Sequence, residues 1–183
     1  MKTDLSTYDN SWYNTGAGPV KRLLWYVVNM LVFQTYLFPV HSPKVWLLKL
    51  FGARMGKGIV IKPSVNIKYA WNLRVGDYTW IGENVWIDNL VPVSIGSHVC
   101  LSQGSMLLTG NHNYKKAGFD LMVSPITLED GVWIGARSLV CPGLICHSHS
   151  VLSAQSVATI NLRPYMIYAG NPAQVVRERE IEA

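Results

Sequence analysis

With 183 residues, 49% of them hydrophobic and only 15% charged, the chain suits one domain with a sizeable core. This composition excludes a disordered protein or a coiled coil. The net charge of +5 favours an anionic partner, such as a phosphorylated cofactor, a nucleotide sugar or an anionic lipid surface, and the lack of a basic helix or Lys/Arg-rich stripe argues against nucleic acid.

Residues 1–52 combine a polar tail with an apolar segment that we expect to be helical. Residues 23–40 form an apolar run near the lower length limit for a membrane span, and three residues interrupt it: Asn29, Gln34 and Pro39. A second apolar stretch follows at residues 45–52. We interpret the two stretches as helices that pack on the main domain or that lie on a membrane face through residues 20–50.

The cysteines and the N-terminus indicate the compartment. The three cysteines are an odd number without Cys-x-x-Cys spacing, and the first residues do not resemble a cleavable signal peptide. We therefore expect a cytoplasmic protein in which Cys100, Cys141 and Cys146 are small buried apolar residues. Peripheral attachment to the inner membrane face stays open.

From residue 55 onward, aliphatic residues recur at a spacing of six. Three short series lie between Met55 and Leu107, and an uninterrupted series follows: Leu128, Ile134, Val140, Cys146, Leu152 and Ala158. Glycine often comes next, where we expect a backbone geometry that a Cβ would resist. A small or β-branched residue stands four positions after the aliphatic residue. This period fits neither a helix nor a flat strand, and it predicts short strands, three to a coil, stacked in parallel about 4.8 Å apart.

The period breaks between Leu107 and Leu128, in a polar segment that contains TGNHNYKKAGFDLMVSP. A polar excursion from a rigid scaffold is a typical place for functional residues. It holds His112, and imidazole is a suitable base for removing a hydroxyl proton near neutral pH. The other histidines are expected to be exposed: His41, His98, His147 and His149. A metal site at Cys146–His149 is the less favoured interpretation.

Several phrases resemble the left-handed β-helix acyltransferases, namely VGDYTWIGENVWID, SIGSHVCLSQGS and LEDGVWIGARSLVCPGLI. Within these, the chain is most similar to the maltose and galactoside O-acetyltransferase branch, and above all to the colanic acid biosynthesis acetyltransferases. The resemblance covers roughly residues 18–180. It implies an all-β fold, a left-handed parallel β-helix of about five triangular coils in residues 53–183. Proline at a first helical position predicts a short C-terminal helix after Asn171-Pro172.

The resemblance also implies the chemistry. His112 would be the general base in a direct transfer from acetyl-CoA to a sugar hydroxyl, in exopolysaccharide or cell-surface polysaccharide synthesis and without a metal. The acceptor would contact Asp88, Asn84 and Asn111. The cofactor would contact a second set of residues: Trp133, Gly135, Ala136, Ala154, Thr159 and Arg177. A homotrimer with active sites between subunits is implied as well, and the aromatic residues Tyr78, Trp80 and Trp86 would stack on a sugar, cover the wall or line an interface.

Three alternatives remain open at this point. The first is inactivation of a small xenobiotic, as in the streptogramin acetyltransferases, which share the scaffold and a loop histidine. The second is a γ-type carbonic anhydrase, although no histidine follows His112 at the required five-residue spacing. The third is a β-helix with a purely structural role.

Overall fold

The computed structural model describes residues 2–182. Its N-terminal part contains a short 3-10 turn (Leu5–Thr7) and two helices, α1 (Pro19–Val28) and α2 (His41–Leu50). A π-helical turn (Asn29–Phe33) continues α1. Within the described residues, no helix is both long enough and apolar enough to cross a membrane.

The remainder of the chain is built from short strands. The first three coils comprise β1 (Arg54–Met55), β2 (Val60–Ile61), β3 (Asn66–Ile67), β4 (Leu73–Val75), β5 (Trp80–Ile81), β6 (Trp86–Asp88), β7 (Val93–Ile95), β8 (Cys100–Leu101) and β9 (Met106–Leu108). A 3-10 turn, Ala70–Asn72, joins the first coil to the second. A hairpin of β10 (Gly110–His112) and β11 (Leu121–Val123) then interrupts the coils. The later strands are β12 (Ile126–Leu128), β13 (Trp133–Ile134), β14 (Leu139–Val140), β15 (Ile145–Cys146), β16 (Val151–Leu152), β17 (Val157–Ala158), β18 (Met166–Gly170) and β19 (Ala173–Glu178).

These strands stack into three faces of a triangular parallel β-helix. Face A contains β1, β4, β7, β12 and β15, and face C contains β3, β6, β9, β14 and β17. Face B contains β2, β5, β8, β13, β16 and β18, with β19 at its end. The chain therefore completes five coils and begins a sixth, which confirms the β-helix expected from the six-residue period.

The aliphatic residues of the period form the core of this β-helix. All of those from Ile61 to Ala158 are buried, and only Met55 in the first coil is half-buried. The residues four positions later, from Ile59 to Ser156, are buried beside them. Each large aliphatic side chain buried in this way stabilises the fold by about 1.5–3 kcal/mol.

The glycines that follow the aliphatic residues do not have the expected role. Neither Gly76 nor Gly135 has a positive φ. A Cβ at Gly76 would instead lie 2.6 Å from the carbonyl carbon of Gly96, and a Cβ at Gly135 would lie 2.5 Å from the amide nitrogen of Ala154. These glycines therefore permit close stacking of the coils. The left-handed backbone falls at corner positions three residues after the aliphatic residue, as at Tyr78, Asn84 and Arg137.

The N-terminal helices pack on the first coil, as one of the two interpretations predicted. Trp25 and Phe33 are buried with their ring centroids 5.4 Å apart, and Leu48 of α2 is buried in the same core. Trp25 Nε1 also donates hydrogen bonds to the carbonyls of Ile67 and Lys68, both at 3.0 Å. Helix α1 is thereby fixed to the edge between faces C and A, where the first coil passes into the second.

The C-terminal segment is a strand, so the expected short helix is wrong. β19 runs antiparallel to β18, with Ala173 opposite Gly170 and Glu178 opposite Met166. β18 would otherwise leave an open edge at the end of face B, and β19 satisfies its backbone groups. The β-branched Val175 and Val176 favour this extended conformation.

Only one cysteine is buried as expected. Cys146 belongs to the core, and burial raises the pKa of its thiol to about 12. Cys100 and Cys141 are half-buried. Cys100 directly precedes the inward-facing Leu101 on β8, so the alternation of the strand turns its side chain outward.

Candidate active site

The polar segment that interrupts the repeat is an ordered hairpin. In the antiparallel pair of β10 and β11, His112 lies opposite Leu121. The Asn113 amide donates to the Asp120 carbonyl at 2.8 Å, which extends the pairing beyond the strands. The hairpin leaves the β-helix at the edge between faces C and A, because it follows β9 and precedes β12. His112 is thus held on a paired strand.

The His112 ring has one fixed nitrogen. Nδ1 lies 2.8 Å from the Phe119 carbonyl oxygen, and the imidazole stacks on the Phe119 ring at 4.5 Å with an interplanar angle of 7°. A carbonyl oxygen can only accept, so Nδ1 carries the proton in the neutral ring. Nε2 is then the unprotonated nitrogen, which is the form a general base requires.

The N-terminal tail forms one wall beside this histidine. Tyr8 lies with its ring centroid 5.9 Å from that of His112, and the Asp4 amide donates to the Ala117 carbonyl at 2.9 Å. Further along, the Tyr13 hydroxyl donates to the Leu90 carbonyl at 2.7 Å. The tail therefore crosses from the hairpin to the second coil.

Asp88 faces His112 across a cleft of about 560 Å³. Its carboxylate is largely buried, and Lys68 Nζ lies 3.0 Å from Oδ1 as an ion pair without hydrogen-bond geometry. Oδ1 accepts no hydrogen bond from the residues that the structure describes. We call this space the His112 cleft; its lining includes Tyr8, Asn10, Tyr13, Arg22, Lys68, Tyr69, Asp88, Asn111 and His112.

The other two acceptor candidates lie in different places. Asn111 lines the His112 cleft, and its Oδ1 accepts from the His112 amide at 2.8 Å. Asn84 lies at the corner between faces B and C, where its side chain exchanges hydrogen bonds with the Tyr36 hydroxyl at 2.9 and 3.2 Å. One chain therefore brings His112, Asp88 and Asn111 together but leaves Asn84 outside their cleft.

Most of the residues expected to contact the cofactor lie near the corner between faces B and C. Gly135 and Ala136 follow β13, and the Gln155 amide, next to Ala154 in the next coil, donates to the Ala136 carbonyl at 2.8 Å. Trp133 is 46% exposed on β13, and its Nε1 donates to Ser102 Oγ at 2.9 Å. Two further candidates are exposed: Arg177 on β19, and Thr159, which follows β17 at the edge between faces C and A. His112 lies at the opposite edge of face C from Gly135, Ala136 and Ala154, so a single chain does not bring the base to these residues.

The remaining histidines are engaged elsewhere. His41 and His98 are exposed as expected, and His98 stacks on Tyr78 at 5.4 Å. His147 and His149 are only half-exposed, contrary to expectation. His147 Nδ1 lies 3.0 Å from a Glu129 carboxylate oxygen, and His149 stacks on Tyr165. Within residues 2–182, no cluster of three or more His, Cys, Asp or Glu side chains could hold a metal ion.

Comparison with known proteins decides the family. A protein assigned as the colanic acid biosynthesis acetyltransferase WcaF of Escherichia coli strain K12 is 35% identical to the chain over 176 residues, covering 96% of the chain and 97% of the relative. The chain belongs to the hexapeptide-repeat acetyltransferases. Galactoside O-acetyltransferase of the same organism is 31% identical over 136 residues, covering 72% of this acetyltransferase and 66% of the relative. No family model matches the sequence.

A solved structure agrees with the fold of this acetyltransferase. The hexapeptide-repeat acetyltransferase VCA0836 of Vibrio cholerae O1 biovar eltor, in complex with acetyl-CoA, superimposes with a TM-score of 0.79 and 25% identity. The match covers 91% of this chain and 92% of that one. The resemblance to left-handed β-helix acyltransferases that the sequence indicated is confirmed.

Sequence reasoning missed the tail of this acetyltransferase as part of the site. Tyr8, Asn10 and Tyr13 line the His112 cleft although they precede the hairpin by about a hundred residues. The available signal was aromatic: Tyr8, Trp12 and Tyr13 stand close together in an otherwise polar segment. Arg22 and Lys68 were also missed, because a lone cation has no distinguishing spacing.

Proposed function

We propose that the protein transfers the acetyl group of acetyl-CoA to a sugar hydroxyl, in the synthesis of an exopolysaccharide or cell-surface polysaccharide. The observation that carries the proposal is the hydrogen bond from His112 Nδ1 to the Phe119 carbonyl, which leaves Nε2 free to act as a base beside the cleft. The relatives named for colanic acid and galactoside acetylation, and the neighbour bound to acetyl-CoA, support the same chemistry.

His112 and Asp88 have distinct tasks in this mechanism. Nε2 of His112 removes the proton of the acceptor hydroxyl as its oxygen attacks the acetyl carbonyl. The imidazolium then keeps its Nδ1 bond to the Phe119 carbonyl and returns the Nε2 proton to the departing sulfur. Asp88, which lines the same cleft, offers its carboxylate as the acceptor for a second sugar hydroxyl. Acetyl-CoA supplies the activated thioester, so no acyl-enzyme is required.

The corner between faces B and C suits the acetyl donor. The exposed Trp133 indole offers apolar surface to a pantetheine chain, and Arg177 offers a cation to a phosphate. The Gly135 amide already donates to the Leu152 carbonyl at 2.7 Å, so the Ala136 N–H is the group that would stabilise the charge developing on the thioester oxygen. Ala154 would complete this contact on the following coil, and Thr159 would contact the donor from the other edge of face C.

The separation of the two half-sites within one chain supports a homotrimer with active sites between subunits. Outward residues are polar on face A except for Ile145, whereas they are largely apolar on faces B and C, where Trp80, Trp86 and Trp133 are exposed. Large apolar surfaces of this kind favour burial against another subunit. Tyr78, at the corner between faces A and B, and Asn84, at the corner between faces B and C, would then lie against neighbouring subunits.

Mixing two inactive variants tests both the chemistry and the shared site. His112→Ala removes the base, and Arg177→Glu opposes the cofactor phosphate. We expect each variant alone to release little thiol from acetyl-CoA in the presence of candidate sugars. Trimers reassembled from an equal mixture should recover about a quarter of wild-type activity, since about a quarter of the interfaces then combine two intact halves. His41→Ala, which changes an exposed histidine of α2 outside the cleft, is the matched control and should remain active.

The outcomes separate the parts of the proposal. Activity of His112→Ala near the wild-type level would remove the base from the mechanism. Failure of the mixed trimers to recover activity, with both variants folded and assembled, would place each site within one subunit.

The acetyl donor indicates the cellular compartment. Acetyl-CoA is a cytoplasmic metabolite, and we expect this protein in the cytoplasm with the exposed apolar side of α1 against the inner membrane face. Leu24 and Leu31 of this segment are 54% and 61% exposed.

A further inference from the structure

A second cleft adjoins the His112 cleft. It has a volume of about 580 Å³ and lies between α1 and the first two coils, and we call it the α1 cleft. Both clefts are lined by the same four residues, Arg22, Lys68, Tyr69 and Asp88. A ligand in the His112 cleft can therefore continue past these residues into the α1 cleft.

The junction between the clefts has an excess of positive charge. Lys68 pairs with Asp88, but Arg22 has no carboxylate within ion-pair distance and no side-chain hydrogen bond among residues 2–182. Two cations thus face one carboxylate at the junction. A guanidinium left free beside a lysine is suited to a phosphate or diphosphate, whose oxygens it can contact in pairs.

Next to Arg22, the side of the α1 cleft formed by α1 is apolar, and polar lining from Asn29, Gln34 and Asn66 follows one turn later. Pro19, Leu23 and Tyr26 lie three or four residues apart along α1, so they share one side of the helix with Arg22. Leu23 is 64% exposed and Tyr26 is 62% exposed. A hydrophobic chain that begins at Arg22 would bury both side chains, whereas a free sugar would leave them in water.

We propose that the acceptor is a sugar joined through a phosphate or diphosphate to a lipid. The sugar occupies the His112 cleft, the phosphate lies at Arg22 and Lys68, and the first part of the lipid chain lies along Leu23 and Tyr26. This inference rests on the proposed acetyl transfer for the identity of the His112 cleft. The order of base, cations and apolar surface matches the order of groups in such a lipid-linked sugar.

Farnesyl diphosphate is a suitable probe, because it carries a diphosphate and an isoprenoid chain without depending on the identity of the sugar. Calorimetric titration of the full-length protein should give a Kd roughly tenfold lower than those of inorganic diphosphate, farnesol and UDP. Arg22→Gln should weaken binding of farnesyl diphosphate by roughly tenfold, since a charge-assisted hydrogen bond is lost. Leu23→Asn should weaken the binding of farnesyl diphosphate but leave the affinity for inorganic diphosphate unchanged.

Matched variants control for general effects on the helix. Leu24→Asn changes an equally exposed leucine that lines neither cleft, and Lys49→Gln removes an exposed cation from α2; both should bind farnesyl diphosphate like the wild type. Equal affinity for UDP would indicate a nucleotide-linked acceptor and overturn the proposal. The proposal would also be overturned if farnesol bound as tightly as farnesyl diphosphate, or if farnesyl diphosphate did not bind. A change of oligomeric state in Leu23→Asn would overturn it as well.

The acetyl-transfer proposal can fail separately. His112→Ala should bind farnesyl diphosphate normally, and acetyl-CoA binding can be titrated in the same preparation. If the wild-type protein did not bind acetyl-CoA, the transfer chemistry would be refuted, and the result for farnesyl diphosphate would still stand.

Discussion

The β-helix and the tail that covers the His112 hairpin are held in place by different interactions. Neighbouring coils share parallel backbone pairing and a continuous aliphatic core, in which Ile134 is fully buried. The tail is attached by single hydrogen bonds, such as those from the Asp4 amide to Ala117 and from the Tyr13 hydroxyl to Leu90. Substitutions in the β-helix core are therefore costly, while substitutions in the tail can change the wall of the His112 cleft at little cost in stability.

Removing a core side chain is the strongest test of this contrast. Ile134→Ala should lower the free energy of unfolding by about 2–5 kcal/mol, because a fully buried side chain leaves a cavity between coils. Leu5→Ala, in the tail and 64% exposed, should change it by less than about 0.5 kcal/mol. Chemical denaturation of both variants measures the two effects, and comparable losses would contradict the contrast.

Loosening the tail should alter the cleft and leave the scaffold intact. Tyr13→Phe removes the hydroxyl that donates to Leu90 at 2.7 Å, which should weaken attachment of the tail by about 1 kcal/mol. We expect faster amide exchange in residues 4–15 and a higher KM for the acceptor, with a nearly unchanged Tm. Tyr114→Phe provides a control at a 75% exposed tyrosine. Unchanged exchange in the tail would show that Tyr13 does not hold it.

A polar contact between coils should respond to pH in a defined direction. Ser148 Oγ and its amide each donate to Glu129 at 2.8 Å, and these bonds, with a smaller contribution from His147, lower the pKa of Glu129 below 4.5. Since the pKa is lower in the folded state, the stabilisation is present above pH 4.5 and disappears as the pH falls through the folded value.

Ser148→Ala tests this directly. The substitution should destabilise the protein at pH 7 by at most about 1 kcal/mol, because Glu129 is partly exposed to solvent. The difference in Tm from the wild type should shrink at pH 3. An equal difference at both pH values would show that the ionised carboxylate is not involved.

The same contrast explains which features the sequence could predict. The core aliphatic residues from Ile61 to Ala158 follow a strict period, so their burial was predictable, and the break in that period located His112. The C-terminal strand was not predictable from Pro172, since its cause is the open edge of β18. The glycines were expected to provide an unusual backbone geometry, but Gly135 instead permits close stacking on Ala154. That contact forms only between stacked coils, so the residue spacing alone did not indicate it.

The site could be predicted only in part for a similar reason. Asp88 was expected near His112 from family resemblance, and the two line one cleft. Tyr8, Arg22 and Lys68 join them through the path of the tail and α1, which follows no repeat. Contacts that depend on how a non-repetitive segment lies across the scaffold leave little signal in the spacing of residues.

The most direct test of the central claim is the rate of acetyl transfer by His112→Ala with and without added imidazole. We expect the substitution to slow transfer by about 10²–10⁴-fold while Tm stays near that of the wild type. Imidazole should restore part of the rate, because it can supply the missing base in the space beside Phe119. Transfer near the wild-type rate without imidazole would contradict the assignment of His112 as the general base.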